Sequence, residues 1–432
     1  MYFCRKKRKK MRNLFIKAVN YVWLHVWRYR AIVRQHRKLV ATLRLANRPI
    51  HVVFIANDVA YWHYQGLYQL MAADPRFLPT IVLSPCLERL TAETDIQRLR
   101  QYFHQLNTPF IDYDFNQSPC DLRRELQPDL IFYTQPYEYQ LCPQHDCRHF
   151  YDRLVCYMPY AFWTFTGKSS YNLHFQNQAW RLYYPTRLHL EEARLIADNH
   201  GHNVRVTGYT NADEFLADEH PSPWRTMADG LKRKRIIWAP HFTITWINSH
   251  TPPRSNFLWM AQLMVTIARE YGDRIQIAFK PHPSLRSQLY KDDIWGKERT
   301  DQYYALWEQM PNTQLETGQY TDLFMTSDAM IHDSGSFAVE YHYTKQPVMF
   351  VSKDMEPMLR QQSRLGILAF QQAYIGSDEA DIRRFIDDVV LGGNDPMRPQ
   401  REQFYNDYLL PPGGKSVARN ILDDIIDSIK KA

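Results

Sequence analysis

Met330–Val351 reads MIHDSGSFAVEYHYTKQPVMFV. An apolar run, Ala329–Ile331, ends in His332-Asp333-Ser334-Gly335-Ser336. A helix-like segment through Glu340 follows at once, and Lys345-Gln346-Pro347 then turns the chain into a second apolar run. Strand, small polar junction, helix and strand in that order describe a β-α-β unit of a parallel sheet. Small hydroxyl and glycine residues at such a junction suit a phosphate, because first-turn N–H groups have no intrahelical partner and carry partial positive charge. Ser and Asp also serve as ordinary helix caps, so the junction alone leaves both readings open.

The pattern repeats outward from this unit. RIIWAPHFTI (235–244) and RIQIAFKPHPSLR (274–286) are apolar runs that end in polar loops, with SNFLWMAQLMVTIAREYG (255–272) as a helix between them. Earlier, IHVVFIA (50–56), FLPTIVLS (77–84), QPDLIFYT (127–134), VCYMPYAFWTF (155–165) and RVTGY (205–209) read as strands and site loops, with a helix over 60–73. Continuous apolar strands alternating with helices predict two doubly wound Rossmann-like α/β domains. The predicted divisions are 1–45 as a basic amphipathic segment, 46–208 as the first domain, 209–234 as a polar linker, and 235–432 as the second domain, closed by the amphipathic GKSVARNILDDIIDSIKK.

Ligands of open α/β sheets bind beyond the carboxyl ends of the strands. In the second half those ends carry Pro240-His241, Lys280-Pro281-His282-Pro283, and His332 through Ser336. Lys280 and His282 can offer positive charge or donors to a diphosphate, and Ser334, Gly335 and Ser336 can offer hydroxyls and backbone N–H groups. Glu340, one turn on, can accept from ribose hydroxyls. The set fits a nucleotide-diphosphate donor.

The net charge of +7 is unevenly spread. Residues 1–50 hold 15 of the 53 Lys and Arg and no Asp or Glu, leaving 38 basic against 46 acidic residues, a net of −8 for the rest. A mildly acidic body argues against nucleic acid as a partner. Phe15, Val19, Val22 and Val26 recur at helical spacing behind a basic run, with Lys17, Asn20 and His25 interrupting the apolar stretch. That pattern predicts an interfacial helix drawn by residues 1–30 to an anionic membrane surface, neither a spanning segment nor a cleaved leader. Six cysteines without a secretory signal suggest a reducing compartment. Cys142, His145, Cys147 and His149 match no zinc spacing, Asp112 and Asp114 make a weak metal pair, and PPGGKS (411–416) lacks the upstream glycine of a P-loop. No metal or cofactor is expected.

DAMIHDSGSFAVEYHYTKQPVMF resembles the C-terminal signature of the CDP-glycerol glycerophosphotransferases, the teichoic-acid primases and polymerases. Asp328, Asp333, Ser336, Glu340, Tyr341, Lys345 and Pro347 fall in matching register. FKPHP resembles that family's His-Pro loop, WAPHF its Ala-Pro loop and GGKSVARNI its closing helix; the likeness spans roughly residues 235–425. It implies a two-domain GT-B-like fold with the donor bound in the C-terminal half and the acceptor in the cleft, in a bacterial cell-envelope enzyme peripheral on the cytoplasmic membrane face. Such an enzyme moves glycerol or ribitol phosphate from a CDP-alditol to a hydroxyl of a lipid-linked glycan and releases CMP. Carried over, His282 contacts phosphate and Ser336 grips it, with His241 as a second catalytic candidate. The family's first-domain His is missing from CYMPYAFWTF, where Tyr157, Tyr160 or His174 can substitute. The alternatives are a GT-B glycosyltransferase using a nucleotide sugar in capsule or lipopolysaccharide synthesis, a nucleotide-sugar 2-epimerase, and a non-catalytic scaffold.

Overall fold

The computed structural model describes residues 29–86, 89, 92–113, 120–245, 254–335 and 337–431. The expected interfacial helix on Phe15, Val19, Val22 and Val26 lies outside these residues, as does Ser336. No helix among the described residues is long and apolar enough to cross a membrane. The chain forms two compact units, the first comprising Met1–Ala161, Thr166–Asn211 and Pro411–Ala432, the second Phe162–Phe165 and Ala212–Leu410.

The first unit opens with helix α1 (Tyr29–Leu45), followed by β1 (Ile50–Ala56), α2 (Gln65–Ala72), β2 (Phe77–Leu83), α3 (Ala92–Gln105), β3 (Leu130–Tyr133) and β4 (Leu154–Tyr157). Then come β5 (Arg181–Tyr184), α4 (Arg187–Ile196) and β6 (Val204–Val206). All six strands are parallel, in the order β2-β1-β3-β4-β5-β6. The apolar run of β1 is fully buried from Val52 to Ala56 because helices cover both faces of the sheet. Phe54 stacks on Phe132 of β3 at 4.9 Å and meets Tyr64 and Tyr68 edge-on or tilted.

The second unit contains β7 (Lys234–Ala239), α5 (Phe257–Glu270), β8 (Ile275–Phe279), α6 (Gly296–Gln309), β9 (Thr313–Leu315) and β10 (Ala329–His332). A single helical turn α7 (Phe337–Glu340), β11 (Val348–Val351), α8 (Arg364–Phe370) and β12 (Tyr374–Gly376) complete it. Its strands are also parallel, in the order β12-β11-β10-β7-β8-β9. Trp238 of β7 is the hub of one core layer, stacking on Phe257 of α5 and Phe279 of β8 and lying 5.3 Å from Trp307 of α6.

The expected domain limits differ from these units at three places. The closing helix α9 (Val417–Lys431) belongs to the first unit and not to the second. It buries Val417, Ala418, Ile421, Leu422 and Ile425 against α1 and α2. Asp424 on its flank binds Arg181 of β5 and Arg205 of β6 at 2.9 and 3.1 Å. Gly208, with φ +105°, admits the returning chain, since a Cβ there would stand 2.9 Å from Val417 Cγ2 and 3.2 Å from Pro411 Cα. Of residues 209–234, expected as linker, 212–234 belong to the second unit, with a short helix Ala212–Phe215 and the buried Trp224, and Arg225 donates to the Met310 and Glu308 carbonyls. Phe162–Phe165 joins the second unit, where Thr164 O accepts from Ser363 N–H at 2.6 Å.

Candidate functional site

In the second unit the strand order reverses at β7, which has β8 on one side and β10 on the other. A crevice therefore opens beyond the carboxyl ends of these strands. The register pairs Ala239 with His332 and Trp238 with Phe279, so Pro240-His241, Lys280–Pro283 and His332–Gly335 leave the sheet side by side. Two backbone bonds fix the loops to each other: Lys280 N–H to Trp238 O at 2.8 Å, and His282 N–H to Pro240 O at 3.0 Å. The three loops singled out in the sequence thus form one constellation.

Asp333 is its brace. One carboxylate oxygen accepts the His241 N–H and the other the Asn256 N–H, each at 2.5 Å. Burial pushes its pKa up to about 6, and the backbone N–H groups offset part of that rise. A carboxylate occupied in this way holds the start of the His241 loop and the entry to α5 against the end of β10.

His241 and His282 meet edge to face with ring centroids 5.0 Å apart, and Phe242 packs 4.5 and 4.4 Å from them. His282 Nδ1 accepts the Ser284 N–H at 3.1 Å, and His241 Nδ1 accepts the Thr243 N–H at 3.4 Å. An Nδ1 used as acceptor leaves the hydrogen of a neutral imidazole on Nε2. Burial, helped by Lys280, lowers the His282 pKa to about 4; burial, helped by His282 and Arg254, lowers that of His241 to about 3. His241 Nδ1 also lies 3.0 Å from Thr243 Oγ1. At neutral pH the pair is two uncharged rings, and His282 presents an Nε2–H donor.

Lys280 is 7% exposed. Its ammonium donates to Gly318 O at 2.9 Å and lies 5.5 Å from the Tyr320 ring centroid. Burial lowers its pKa to about 8, against an opposing pull from Glu316. Arg254 is a further cation that the sequence reading missed. Thr243 O accepts both the Arg254 and the Ser255 N–H, at 2.9 and 3.1 Å, which returns the chain to the His241 loop. The Arg254 guanidinium donates to Gln361 Oε1 at 2.6 Å and lies 5.6 Å from the ring of Phe165, which a Cβ at Gly335 would meet at 3.5 Å. No motif marks Arg254; its position just ahead of a helix after a long polar loop is the only sequence signal.

The remaining expected residues take quieter places. His332 is 2% exposed, its ring against Phe350 at 5.3 Å and its Nδ1 3.1 Å from Ser334 O; burial lowers its pKa to about 3. Ser334 is buried in the turn, and Glu340 is 1% exposed on α7. The helix expected after Ser336 is one α-turn continued by a 3-10 turn, Tyr341–Thr344. So short a helix has little dipole, and attraction for an anion must come from Lys280, Arg254 and individual donors. In the first unit, Tyr157 is buried in β4, Tyr160 lies just past it, and His174 Nδ1 is 2.7 Å from Glu138. His145 of the Cys142–His149 stretch uses both ring nitrogens on Ser84 and Cys120 O. No group of metal-binding side chains occurs among the described residues.

The fold is shared with solved proteins of low sequence identity. The wall teichoic acid polymerase TagF superposes with a TM-score of 0.54 at 14% identity, covering 96% of this chain and 98% of that one. A Listeria monocytogenes protein described as a UDP-N-acetylglucosamine 2-epimerase gives 0.58 at 15%, covering 89% and 97%. The UDP-GlcNAc 2-epimerase of Neisseria meningitidis, bound to UDP-GlcNAc, gives 0.51 at 14%, covering 89% and 100%. No curated protein matches the sequence. The model of the CDP-Glycerol:Poly(glycerophosphate) glycerophosphotransferase family does match, over residues 200–422. That span is more than half of the chain and takes in all three strand-end loops. The chain belongs to the CDP-glycerol:poly(glycerophosphate) glycerophosphotransferase family, and is a transferase of that family.

Proposed function

We propose that the protein transfers an alditol phosphate, glycerol or ribitol phosphate, from a CDP-alditol to a hydroxyl of a membrane-linked glycan or teichoic-acid-like acceptor. The acceptor hydroxyl oxygen attacks the β-phosphorus in line and gives up its proton to solvent, the bond from that phosphorus to the bridging oxygen breaks, and CMP leaves with the electron pair. Such transfers depend mainly on positioning and on charge stabilisation of the phosphoryl oxygens. The observation that carries this reading is the cluster of His282, His241, Lys280 and Arg254 at the β7–β10 crevice, with one carboxylate beneath it that is already occupied by backbone N–H groups. In this reading the two imidazoles donate from Nε2 to phosphoryl oxygens, while Lys280 and Arg254 balance the diphosphate charge. Pro240, His332, Asp333, Ser334 and Gly335 set the loop shapes, Ser336 contributes a hydroxyl, and Glu340 lies behind the turn on the ribose side. The enzyme works at the cytoplasmic face of the membrane, held peripherally by residues 1–30.

Calorimetry with the full chain tests the donor. CDP-glycerol or CDP-ribitol and CMP should bind in preference to UDP-N-acetylglucosamine, and His282→Ala or Lys280→Ala should weaken binding by about tenfold or more. Preference for the UDP-sugar would overturn phosphotransfer in favour of glycosyl transfer or epimerisation. An absence of nucleotide binding would favour a scaffold.

A further inference from the structure

Phe162–Phe165 follows β4 in the chain yet belongs to the second unit, where it lies against the start of α8 as a strap. Thr164 O accepts the Ser363 N–H at 2.6 Å, and Phe165 pairs with Gln362 in an antiparallel bridge. Ser363 is the cap of α8, its Oγ accepting the Gly366 N–H at 3.3 Å. Gly366 permits the close approach, since a Cβ there would stand 2.8 Å from Thr164 O. Phe162 and Thr164 are buried, and Phe165 is half-buried. The Phe165 ring meets two parts of the strand-end loops: the Arg254 guanidinium lies 5.6 Å from its centroid, and a Cβ at Gly335 would touch it at 3.5 Å.

Arg254 differs from the other buried and half-buried arginines. Arg89 lies against Asp58, Arg181 against Asp424 and Arg401 against Asp395. Among the described residues no carboxylate pairs with Arg254, and burial lowers its pKa. Its guanidinium has two neutral neighbours instead, Gln361 Oε1 at 2.6 Å and the Phe165 ring. A ring face and an amide oxygen fix the direction of a guanidinium without cancelling its charge. Gln361 stands next to Gln362, the residue with which the strap pairs, so one seat sets both neighbours. A half-buried cation held in this way keeps its charge for an anion.

We propose that Phe165 is a positioning residue of the donor site: its ring holds the uncompensated Arg254 guanidinium for a diphosphate at the three strand-end loops. The stretch CYMPYAFWTF, read from sequence as an acceptor-side loop, thus gives its last residue to the donor side. The diphosphate as ligand rests on the donor reading above; the seating of Arg254 rests on contacts within the second unit alone.

The test is calorimetry on the full chain with inorganic pyrophosphate, CDP-glycerol and UDP-N-acetylglucosamine. Arg254→Ala and Phe165→Ala should each weaken pyrophosphate and nucleotide binding by about fivefold or more. The double variant should bind no more weakly than Arg254→Ala alone, because Phe165 acts through Arg254. Phe165→Tyr, which keeps the ring, should bind as the wild type does; Phe165→Leu, which keeps only apolar bulk, should not. A thermal melt checks that each variant is folded, and Phe165→Leu serves where Phe165→Ala is not. Additive losses in the double variant, or wild-type affinity in Phe165→Leu, would overturn the proposal. Preference for UDP-N-acetylglucosamine with the same coupling between Phe165 and Arg254 would overturn phosphotransfer and leave the strap standing. An absence of binding to pyrophosphate and to both nucleotides would overturn the two together.

Discussion

In the proposed donor site, the single side chain of Lys280 ties binding to pH. Burial brings its pKa down to about 8, so the free protein begins to lose this charge in mildly alkaline solution. A diphosphate beside the ammonium favours the protonated form and raises the pKa again. Binding then takes up a proton at any pH between the free and bound values. Donor affinity should be flat between neutrality and about 8 and fall above it, by up to about tenfold per unit of pH. The Lys280→Arg variant keeps its charge and should not show this fall. Calorimetry across that range in two buffers of different ionisation enthalpy reads both the affinity and the proton uptake. A flat wild-type profile would show that Lys280 does not contact the donor. The neighbouring imidazoles contribute no change near neutrality, because both titrate far below it.

At the scale of an element, α9 decides the integrity of the first unit. It comes last in the chain, after the whole second unit, and still supplies an apolar face to α1 and α2. Ile421 is fully buried there. Ile421→Ala should cost about 2–5 kcal/mol and lower the melting transition of the first unit. CMP should still raise the transition of the second unit, because the strand-end loops are untouched. Two separate transitions in calorimetry, with only one displaced, is the expected record. Loss of CMP protection together with the first transition would contradict the independence of the donor loops from α9. The pattern of GKSVARNILDDIIDSIKK announced an amphipathic helix, but an apolar stripe does not name the surface it covers. The edge strands β9 and β12 escaped notice for a related reason: each has only three residues, too few for a period to register.

For the whole molecule, the charge division is the property to test. Residues 1–50 carry fifteen basic side chains and no acidic one, while the remainder is net −8. The full chain should sediment with vesicles containing phosphatidylserine and be released as salt rises, since each basic residue contributes about 1 kcal/mol within a Debye length. Removal of residues 1–28 should abolish sedimentation while leaving CMP binding intact. Equal binding to neutral vesicles would replace electrostatic attraction by another mode of attachment. By itself the sequence determined two parallel α/β halves, the position of most central strands and the three polar loops at the strand ends of the second unit. Those features follow from local pattern, since buried parallel strands are continuous apolar runs and their exits are polar. Tertiary structure alone decided that α9 returns to the first unit, that Asp333 faces backbone N–H groups, and that Arg254 stands beside His241. Each of these depends on contacts between residues far apart in the chain, and on burial that turns an ordinary polar side chain into a structural brace.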